Sequence, residues 1–530
     1  MKSRLNLFFE KYWFFLPFFS ALLLILSFHP FDFWFLGFVA LVPLFYFLNF
    51  SEKISLSKIF WGGFIVGVIF SSFLSFFTLF HFHWLPETYL FVWLVRLSPL
   101  LISLISGVIV GLVLLGYKRL ASNKIIDIFV LASLSVLIEI IHYKIFSGFD
   151  NGLLAYTAHN LTYLIRLSSL VGIFGISFII TLVNVFIVFF ILRPDYRKKI
   201  AYLFFAGLTI FFLISFSNNH YLDGGSNDYH SAKFAIIQNS DKKNIFGFFS
   251  SKNNHFYFPG AERLIAQVMP SEPNFLIYPF SPFNGHLAID KTEIKDEGLK
   301  KTIAGEAKDF GEWVAKQIDS KTIFVNWVNV VRDDNLYPEI IFLKGKDFIA
   351  NYQKRELFPA MDYTPEVFKK IGLFVTSVDA SPASTGNSPV VEIGDVKFGP
   401  LVCSEIFKSE LGRKSAFQSN IFLSIGSEAM FVGKTPGEWS LIVSQFIAAA
   451  NNRPLVRANI FGASAFINEK GKVIEKMDFE KTGVLIKDMK YKKSPKNTLY
   501  SYFGDWPFIL LILLFLSSIT IPKLFKLKKR

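Results

Sequence analysis

Long apolar segments occupy both ends of the chain and flank a central stretch of mixed polarity. A helix needs about 20 apolar residues to cross the hydrocarbon core of a bilayer. Eight segments approach or exceed this length, at about residues 11–28, 32–49, 59–80, 89–117, 125–146, 162–193, 200–217 and 504–522. The pattern therefore predicts seven membrane helices, then a large domain, then one further membrane helix.

The composition agrees with a membrane protein, because 52% of the 530 residues are hydrophobic, which is too many for an ordinary soluble chain. The net charge is +14, yet residues 221–490 hold 32 Lys and Arg against 32 Asp and Glu. A domain that binds nucleic acid would carry a positive excess itself. Nucleic acid is therefore excluded as a partner, and the excess charge belongs to the apolar flanks.

The distribution of Lys and Arg between the apolar segments predicts their orientation. Basic residues cluster at every second junction, near residues 2–11, 53–58, 118–124, 193–199 and 523–530, whereas the alternate junctions hold almost none. Cytoplasmic loops carry such an excess. We therefore expect a multi-pass protein of the bacterial inner membrane, with both termini in the cytoplasm and the large domain in the periplasm. The first segment lacks a small-residue cleavage site and is expected to be retained.

We place the domain boundaries at 1–220 for seven membrane helices, 221–500 for the large domain, and 501–530 for the last helix with its basic tail. Helical patterns at 302–318 and 436–452 alternate with β-type runs in the large domain, which favours a layered α/β fold. The predicted strands are 234–237, 275–278, 323–328, 340–343, 397–402, 421–425 and 462–466.

Cys403 is the single cysteine of the sequence, so the chain contains no intrachain disulfide. It follows a strand-like run at the carboxyl end, where open α/β sheets place reactive groups. A thiol there is either a nucleophile or a small buried hydrophobic residue.

A second candidate lies in residues 351–359, where Lys354, Arg355 and Glu356 precede a proline. A lysine beside a cysteine would lower the pKa of the thiol and stabilise an anionic intermediate. The alternative is a solvated charged loop, and the sequence does not show that Lys354 meets Cys403.

Several segments resemble known families in order and spacing. Residues 232–239, 276–279, 352–355, 402–405 and 452–458 resemble the nitrilase, or carbon-nitrogen hydrolase, superfamily. The resemblance extends into the membrane region, to the apolipoprotein N-acyltransferase family, at residues 30–31, 38–44, 139, 147–149, 172–178 and 184. It implies about eight transmembrane helices and an inserted periplasmic α/β domain of the α-β-β-α sandwich type.

The family resemblance also implies a function. It implies transfer of an acyl chain from a membrane phospholipid to the N-terminal amine of a diacylglyceryl-cysteine on an apolipoprotein, through a thioester on Cys403. Lys354 would stabilise the oxyanion, Asp362 would support the site, and Glu405 matches the acid two residues after the cysteine. No metal and no organic cofactor are implied, and we expect a monomer.

The sequence departs from the family pattern where the general base is expected. Phe280 stands in place of that glutamate, Ser404 replaces a tyrosine, and the loop at 427–433 is altered. A lost general base typically lowers the rate by about 10² to 10⁴. Three alternatives follow: a base relocated to Glu405, Asp362 or Glu428; a non-catalytic relative that binds lipid or lipoprotein; or a membrane-anchored amidase.

Overall fold

The computed structural model divides the chain into two compact units. The first comprises Met1–Gly225, Phe431–Thr435 and Thr498–Arg530, and the second comprises Ser226–Met430 and Pro436–Asn497. The residues described below are 11–50, 54–79, 90–122, 124–146, 152–224, 228–240, 261–279, 286–289, 294–359, 361–370, 379–383, 389–428 and 433–527.

The first unit is helical, as its apolar segments predict. Among the described residues, five helical segments are long and apolar enough to cross a membrane: Leu56–Phe76, Leu97–Leu120, Ile126–Ile145, Ser168–Leu192 and Pro194–Asp223. The helices before the second unit are α1 (Phe15–Ser27), α2 (Val42–Asn49), α3 (Leu56–Leu79), α4 (Leu90–Leu120), α5 (Ile126–Ile145), α6 (Thr162–Arg166), α7 (Ser168–Leu192) and α8 (Arg197–Asp223).

The segment predicted at 32–49 is divided in the structure. A short 3-10 helix, Trp34–Phe38, precedes α2, which has a proline in its first turn, where the missing N–H costs no helical hydrogen bond. Asn184 of α7 holds this division in place, because its amide donates to the Gly37 carbonyl and accepts from the Leu41 N–H, both at 2.9 Å.

Helices α3 and α4 pack closely through glycines. A Cβ added to Gly67 would lie 2.7 Å from the Gly107 Cα, and one added to Gly63 would lie 2.8 Å from the Gly111 Cα. Small residues allow helix backbones to approach in a membrane, where no hydrophobic effect drives helices together.

The second unit contains two sheets. Within its described residues, the larger sheet has eight strands in the order β14-β1-β2-β5-β3-β4, with β6 and β7 added beside β5. The other has six strands, in the order β13-β12-β11-β10-β9-β8. The strands are β1 (Tyr229–Gln238), β2 (Phe275–Tyr278), β3 (His286–Ala288), β4 (Ile303–Glu306), β5 (Ile323–Arg332), β6 (Asn335–Lys344), β7 (Asp347–Gln353), β8 (Val391–Ile393), β9 (Val396–Val402), β10 (Ile421–Ser427), β11 (Leu455–Ile460), β12 (Ser464–Ile467), β13 (Val473–Met477) and β14 (Gly483–Lys492).

The alternation of side chains along the strands builds two cores. Phe234 of β1 faces inward and packs on Phe275 and on Phe398 of the other sheet, with ring centroids 5.0 and 6.2 Å away. Its neighbours Ala235 and Ile237 face outward, toward the helices that cover the larger sheet. The result is two facing sheets with helices outside.

The helices of this unit are α9 (Ala261–Val268), α10 (Glu297–Thr302), α11 (Ala307–Gln317), α12 (Glu366–Lys370), α13 (Ser409–Ser415) and α14 (Thr435–Asn451).

Most predicted elements of the α/β domain coincide with observed ones, and two differ. The helix expected at 302–318 is interrupted, because residues 303–306 form β4 and pair with β3, so that α11 begins only at Ala307. The strand expected at 462–466 is observed as β12, Ser464–Ile467. Seven further strands were not among those predicted: β3, β4, β7, β8, β11, β13 and β14. The chain ends with α15 (Leu499–Phe503) and α16 (Trp506–Leu527).

Candidate active site

Cys403 lies where β9 ends and a short 3-10 helix, Cys403–Phe407, begins. Its φ of 51° puts a non-glycine residue in the left-handed region, which costs of order 1 to 3 kcal/mol and is typical of functional positions. Gly426 of the neighbouring β10 lies directly beside this turn, since a Cβ there would be in ordinary contact with the Cys403 Cα at 3.5 Å. The sharp turn leaves Cys403 partly exposed, whereas Val402 and Ser404 are buried.

The surroundings of the Cys403 thiol act on its pKa in opposite directions. Burial raises the pKa above its ordinary value, and the carboxylates of Asp362 and Glu428 act in the same direction. The Lys354 ammonium and the Ser404 backbone N–H oppose this rise, with Lys354 the stronger of the two. Because the net shift is upward, the thiol form predominates at neutral pH, and forming the thiolate requires a proton acceptor.

Lys354 follows β7 and is almost completely buried, with 1% of its side chain exposed. Its Nζ donates to Asp362 Oδ2 at 2.6 Å, and its backbone bonds to Pro338 and Ala383. Burial alone would lower the pKa of Lys354, but the nearby Cys403 and Asp362 outweigh it, so the pKa is raised. The side chain is therefore a fixed ammonium group beside the thiol.

Asp362 holds the lysine from the loop that follows β7. Its Oδ2 accepts the Lys354 ammonium and also the Phe358 backbone N–H, at 2.6 Å each. The hydrogen bond between the Asp362 N–H and the Phe358 carbonyl, 2.9 Å, closes the same turn. The carboxylate is thus anchored through one oxygen.

Glu405 is fully buried and accepts four hydrogen bonds. Oε1 accepts the N–H groups of Arg355 and Glu356 at 2.7 and 3.1 Å. Oε2 accepts the Val402 N–H at 2.8 Å and the Tyr352 hydroxyl at 3.2 Å. Burial raises the pKa of Glu405, while the Val402 N–H and Lys354 oppose the rise. The carboxylate ties the Lys354 segment to the turn that carries Cys403.

A second buried ion pair joins β10 and β11. Glu428, just after β10, accepts Arg457 Nη2 at 2.6 Å and the Ser440 hydroxyl at 2.7 Å through Oε1. Arg457 also donates to the Ala463 carbonyl. Sequence reasoning named Glu428 but assigned no partner to it. A buried arginine needs an acid, and Arg457 lies within a segment that carried the family resemblance.

The structure brings together the four site residues named from the sequence, Cys403, Lys354, Asp362 and Glu405, through the bonds and charges above. Phe280 and loop residues 429–432 lie outside the described residues. Across the described ranges, no three His, Cys, Asp or Glu side chains are placed to bind a metal ion.

Comparisons with known proteins agree with this arrangement. Residues 20–186 match the apolipoprotein N-acyltransferase N-terminal domain, and residues 275–493 match the carbon-nitrogen hydrolase domain. The apolipoprotein N-acyltransferase of Borreliella burgdorferi is 26% identical over 506 residues, which are 91% of this chain and 89% of the relative. Apolipoprotein N-acyltransferase 1 of Treponema denticola is 23% identical over 512 residues, 89% of this chain and 88% of the relative.

The second unit is a carbon-nitrogen hydrolase domain, because the matching model spans β2 to β14 and includes Lys354, Asp362 and Cys403. The chain as a whole belongs to the apolipoprotein N-acyltransferase family. The N-terminal model of that family covers the helical first unit, and relatives with that name align along most of the chain. The family predicted from the sequence is thus confirmed.

Proposed function

We propose that the protein moves an acyl chain from a membrane phospholipid to the N-terminal amine of a diacylglyceryl-cysteine on an apolipoprotein, through a thioester on Cys403. The observation that carries the proposal is the Cys403 thiol, held at positive φ beside the Lys354 ammonium. The names of the aligned relatives support the class of acceptor.

In the first half-reaction, the Cys403 thiolate attacks the carbonyl carbon of a phospholipid acyl ester. The carbonyl oxygen becomes an oxyanion, which the Lys354 ammonium stabilises at a position largely shielded from water, where such a charge is most effective. Collapse breaks the ester C–O bond, and the lysophospholipid leaves with the proton that the thiol lost. The acyl chain stays on the sulfur as a thioester.

In the second half-reaction, the amine of the apolipoprotein attacks the thioester carbon and forms a second oxyanion at the same place. Collapse breaks the C–S bond and releases the N-acylated product. Lys354 therefore serves both halves. Glu405 acts as a positioning residue, because its four hydrogen bonds link the backbone at Arg355 and Glu356 to the Val402 backbone.

We also propose the membrane arrangement expected from the sequence, with domains at 1–220, 221–500 and 501–530, about eight spans, cytoplasmic termini and a periplasmic catalytic domain in a monomer. The five long apolar helices and the shorter apolar helices support it, as do the basic clusters.

A green fluorescent protein fused after Arg530 tests the orientation. The fusion should fluoresce if the C-terminus is cytoplasmic, because green fluorescent protein folds poorly when it is exported. A fusion that is intact but not fluorescent would contradict a cytoplasmic C-terminus.

The chemistry is tested with the full-length protein in mixed detergent and phospholipid micelles. Intact mass spectrometry should show the addition of one acyl chain to the protein. When a synthetic diacylglyceryl-cysteine peptide is added, the protein should lose this chain and the amine of the peptide should gain it. Cys403→Ala should show neither event, whereas Ser231→Ala, an exposed change on β1, should behave as the wild type.

Other outcomes would identify the alternatives. A wild-type protein that binds lipid or lipopeptide but never becomes acylated would be a non-catalytic relative. Release of ammonia from a small amide, without acyl transfer to the peptide, would indicate an amidase. Either result would overturn the proposal.

A further inference from the structure

The transfer half-reaction requires a proton acceptor near Cys403. A neutral amine that attacks a thioester becomes positively charged at nitrogen, and the product amide carries one proton fewer. Without an acceptor, the nitrogen leaves again more readily than the sulfur. The described part of the site offers three carboxylates near the thiol, Asp362, Glu405 and Glu428, and their hydrogen bonds distinguish them.

Glu405 is unsuited to accept a proton. Both of its oxygens are occupied, each by two donors, and three of these donors are backbone N–H groups. Protonation of the Glu405 carboxylate would direct its new O–H toward one of these donors and would break at least one of the four hydrogen bonds. The side chain is also fully buried, so a substrate amine does not reach it.

Glu428 is also unsuited. Its Oε1 is engaged by Arg457 and Ser440. Its Oε2 is buried and lies against Gly462 and Asn459, so that a Cβ on Gly462 would lie 3.0 Å from the Asn459 Cγ and even closer to this oxygen. Oε1 is thus occupied by two donors, and Oε2, although it has no hydrogen-bond partner, is shielded from the amine of a substrate by its burial.

Asp362 differs from both of these acids. Oδ2 is fixed by the Lys354 ammonium and the Phe358 N–H, so the direction of the carboxylate is set. No donor among the described residues is bonded to Oδ1, and 15% of the side chain is exposed. Asp362 bonds to the lysine whose ammonium group acts on the Cys403 thiol, and its own charge acts on that thiol as well.

We infer that Asp362 is a catalytic residue whose Oδ1 takes the proton from the acceptor amine, an assignment that rests on the function proposed above. The amine nitrogen forms the new C–N bond, Oδ1 removes one N–H proton, and collapse of the oxyanion breaks the C–S bond. The Cys403 thiolate then takes the proton from the Asp362 carboxylic acid. The cycle ends with the thiol and the carboxylate restored, and with no other reactant consumed.

The test separates proton removal from positioning. Full-length Asp362→Asn is first loaded with an acyl chain from phospholipid at alkaline pH, where hydroxide forms the Cys403 thiolate without a side-chain acceptor, until intact mass spectrometry shows complete acylation, and is then returned to neutral pH. It is then mixed either with the diacylglyceryl-cysteine peptide or with hydroxylamine, a strong nucleophile that cleaves thioesters without a catalyst. Asp362→Glu keeps a carboxylate, and Asp347→Asn, an exposed change at the far end of β7, is the matched control.

We expect Asp362→Asn to transfer to the peptide about 10² to 10⁴ times more slowly than the wild type, while hydroxylamine removes the acyl chain at nearly the wild-type rate. Asp362→Glu should recover part of the peptide reaction, and Asp347→Asn should match the wild type in both reactions.

Three results would overturn the inference: peptide transfer by Asp362→Asn at the wild-type rate, equal slowing with both acceptors, or failure of this variant to load. The last two would make Asp362 a positioning residue for Lys354. These results differ from failure of the proposed function itself, in which the wild type would not become acylated at all.

Discussion

Lys354 Nζ lies 2.6 Å from Asp362 Oδ2, and the charges of both groups act on the single thiol of the protein. This pair gives the lysine an anionic partner in the resting protein, so its positive charge is present before any substrate binds. The same pair orients the aspartate. The active site thus arranges its charges before the reaction, which is how preorganised sites stabilise developing negative charge.

Replacing Lys354 by methionine should abolish most thioester formation. Loss of one preorganised donor to an oxyanion typically lowers the rate by about 10² to 10³, and we expect at least this effect in single-turnover acylation followed by intact mass. Lys346→Met, on an exposed turn, is the control. Near-normal acylation of Lys354→Met would show that the oxyanion is stabilised elsewhere.

The pH dependence of Cys403 alkylation should depend on the charges of Lys354 and Asp362. Because burial raises the pKa of the thiol, the rate of reaction with iodoacetamide should rise with pH and reach its midpoint above about 8.5, the value of a free thiol. Lys354→Met removes a charge that lowers this pKa, so the midpoint should move higher. Asp362→Asn should move it lower. A wild-type midpoint below that of a free cysteine would contradict the direction.

Removing the Glu405 carboxylate should destabilise the protein. In Glu405→Ala, four donors lose their acceptor, and each buried unsatisfied group costs about 1 to 3 kcal/mol. We therefore expect a clearly lower midpoint of thermal unfolding, together with lost acylation. Glu356→Ala removes an exposed side chain from the same segment and should unfold like the wild type; similar unfolding of both variants would show that the Glu405 bonds contribute little.

The Glu428 and Arg457 pair should behave as a coupled unit. Arg457→Met leaves a buried acid without its partner, a change that costs about 3 to 5 kcal/mol, and should lower the unfolding midpoint. Adding Glu428→Gln to this variant removes the unpaired charge and should recover part of the loss. If the double variant is as unstable as the sum of the single ones, the two residues are not coupled.

The close approach of α3 and α4 predicts different effects for two glycines. Gly67→Ala introduces a Cβ 2.7 Å from the Gly107 Cα, so the helices must separate and the unfolding midpoint should fall. Gly116→Ala, on α4, meets nothing within 4 Å and should be neutral or slightly stabilising, because alanine favours helix by about 1 kcal/mol. Equal midpoints for the two variants would argue against the tight glycine contact.

The sequence by itself determined the properties that depend on neighbouring residues. The long apolar segments, the alternating strands and the position of Cys403 at the end of β9 all follow from hydrophobic periodicity, which is a local property. The family resemblance added Lys354, Asp362 and Glu405 as site residues. The interrupted helix before Ala307 was missed, because pairing of β4 with β3 outweighs the helical preference of its residues.

Only the tertiary structure decided what each charged group contacts. Glu405 bonds to the backbone of Arg355, 50 positions earlier, and Glu428 bonds to Arg457, 29 positions later. Such contacts depend on how the two sheets face each other and on the order of their strands, which no local pattern encodes. For this reason the sequence left three acids as candidate bases. Among the described residues, the folded chain leaves Asp362 Oδ1 without a donor on a side chain that is partly exposed, whereas Glu405 is fully bonded and Glu428 Oε2 is buried.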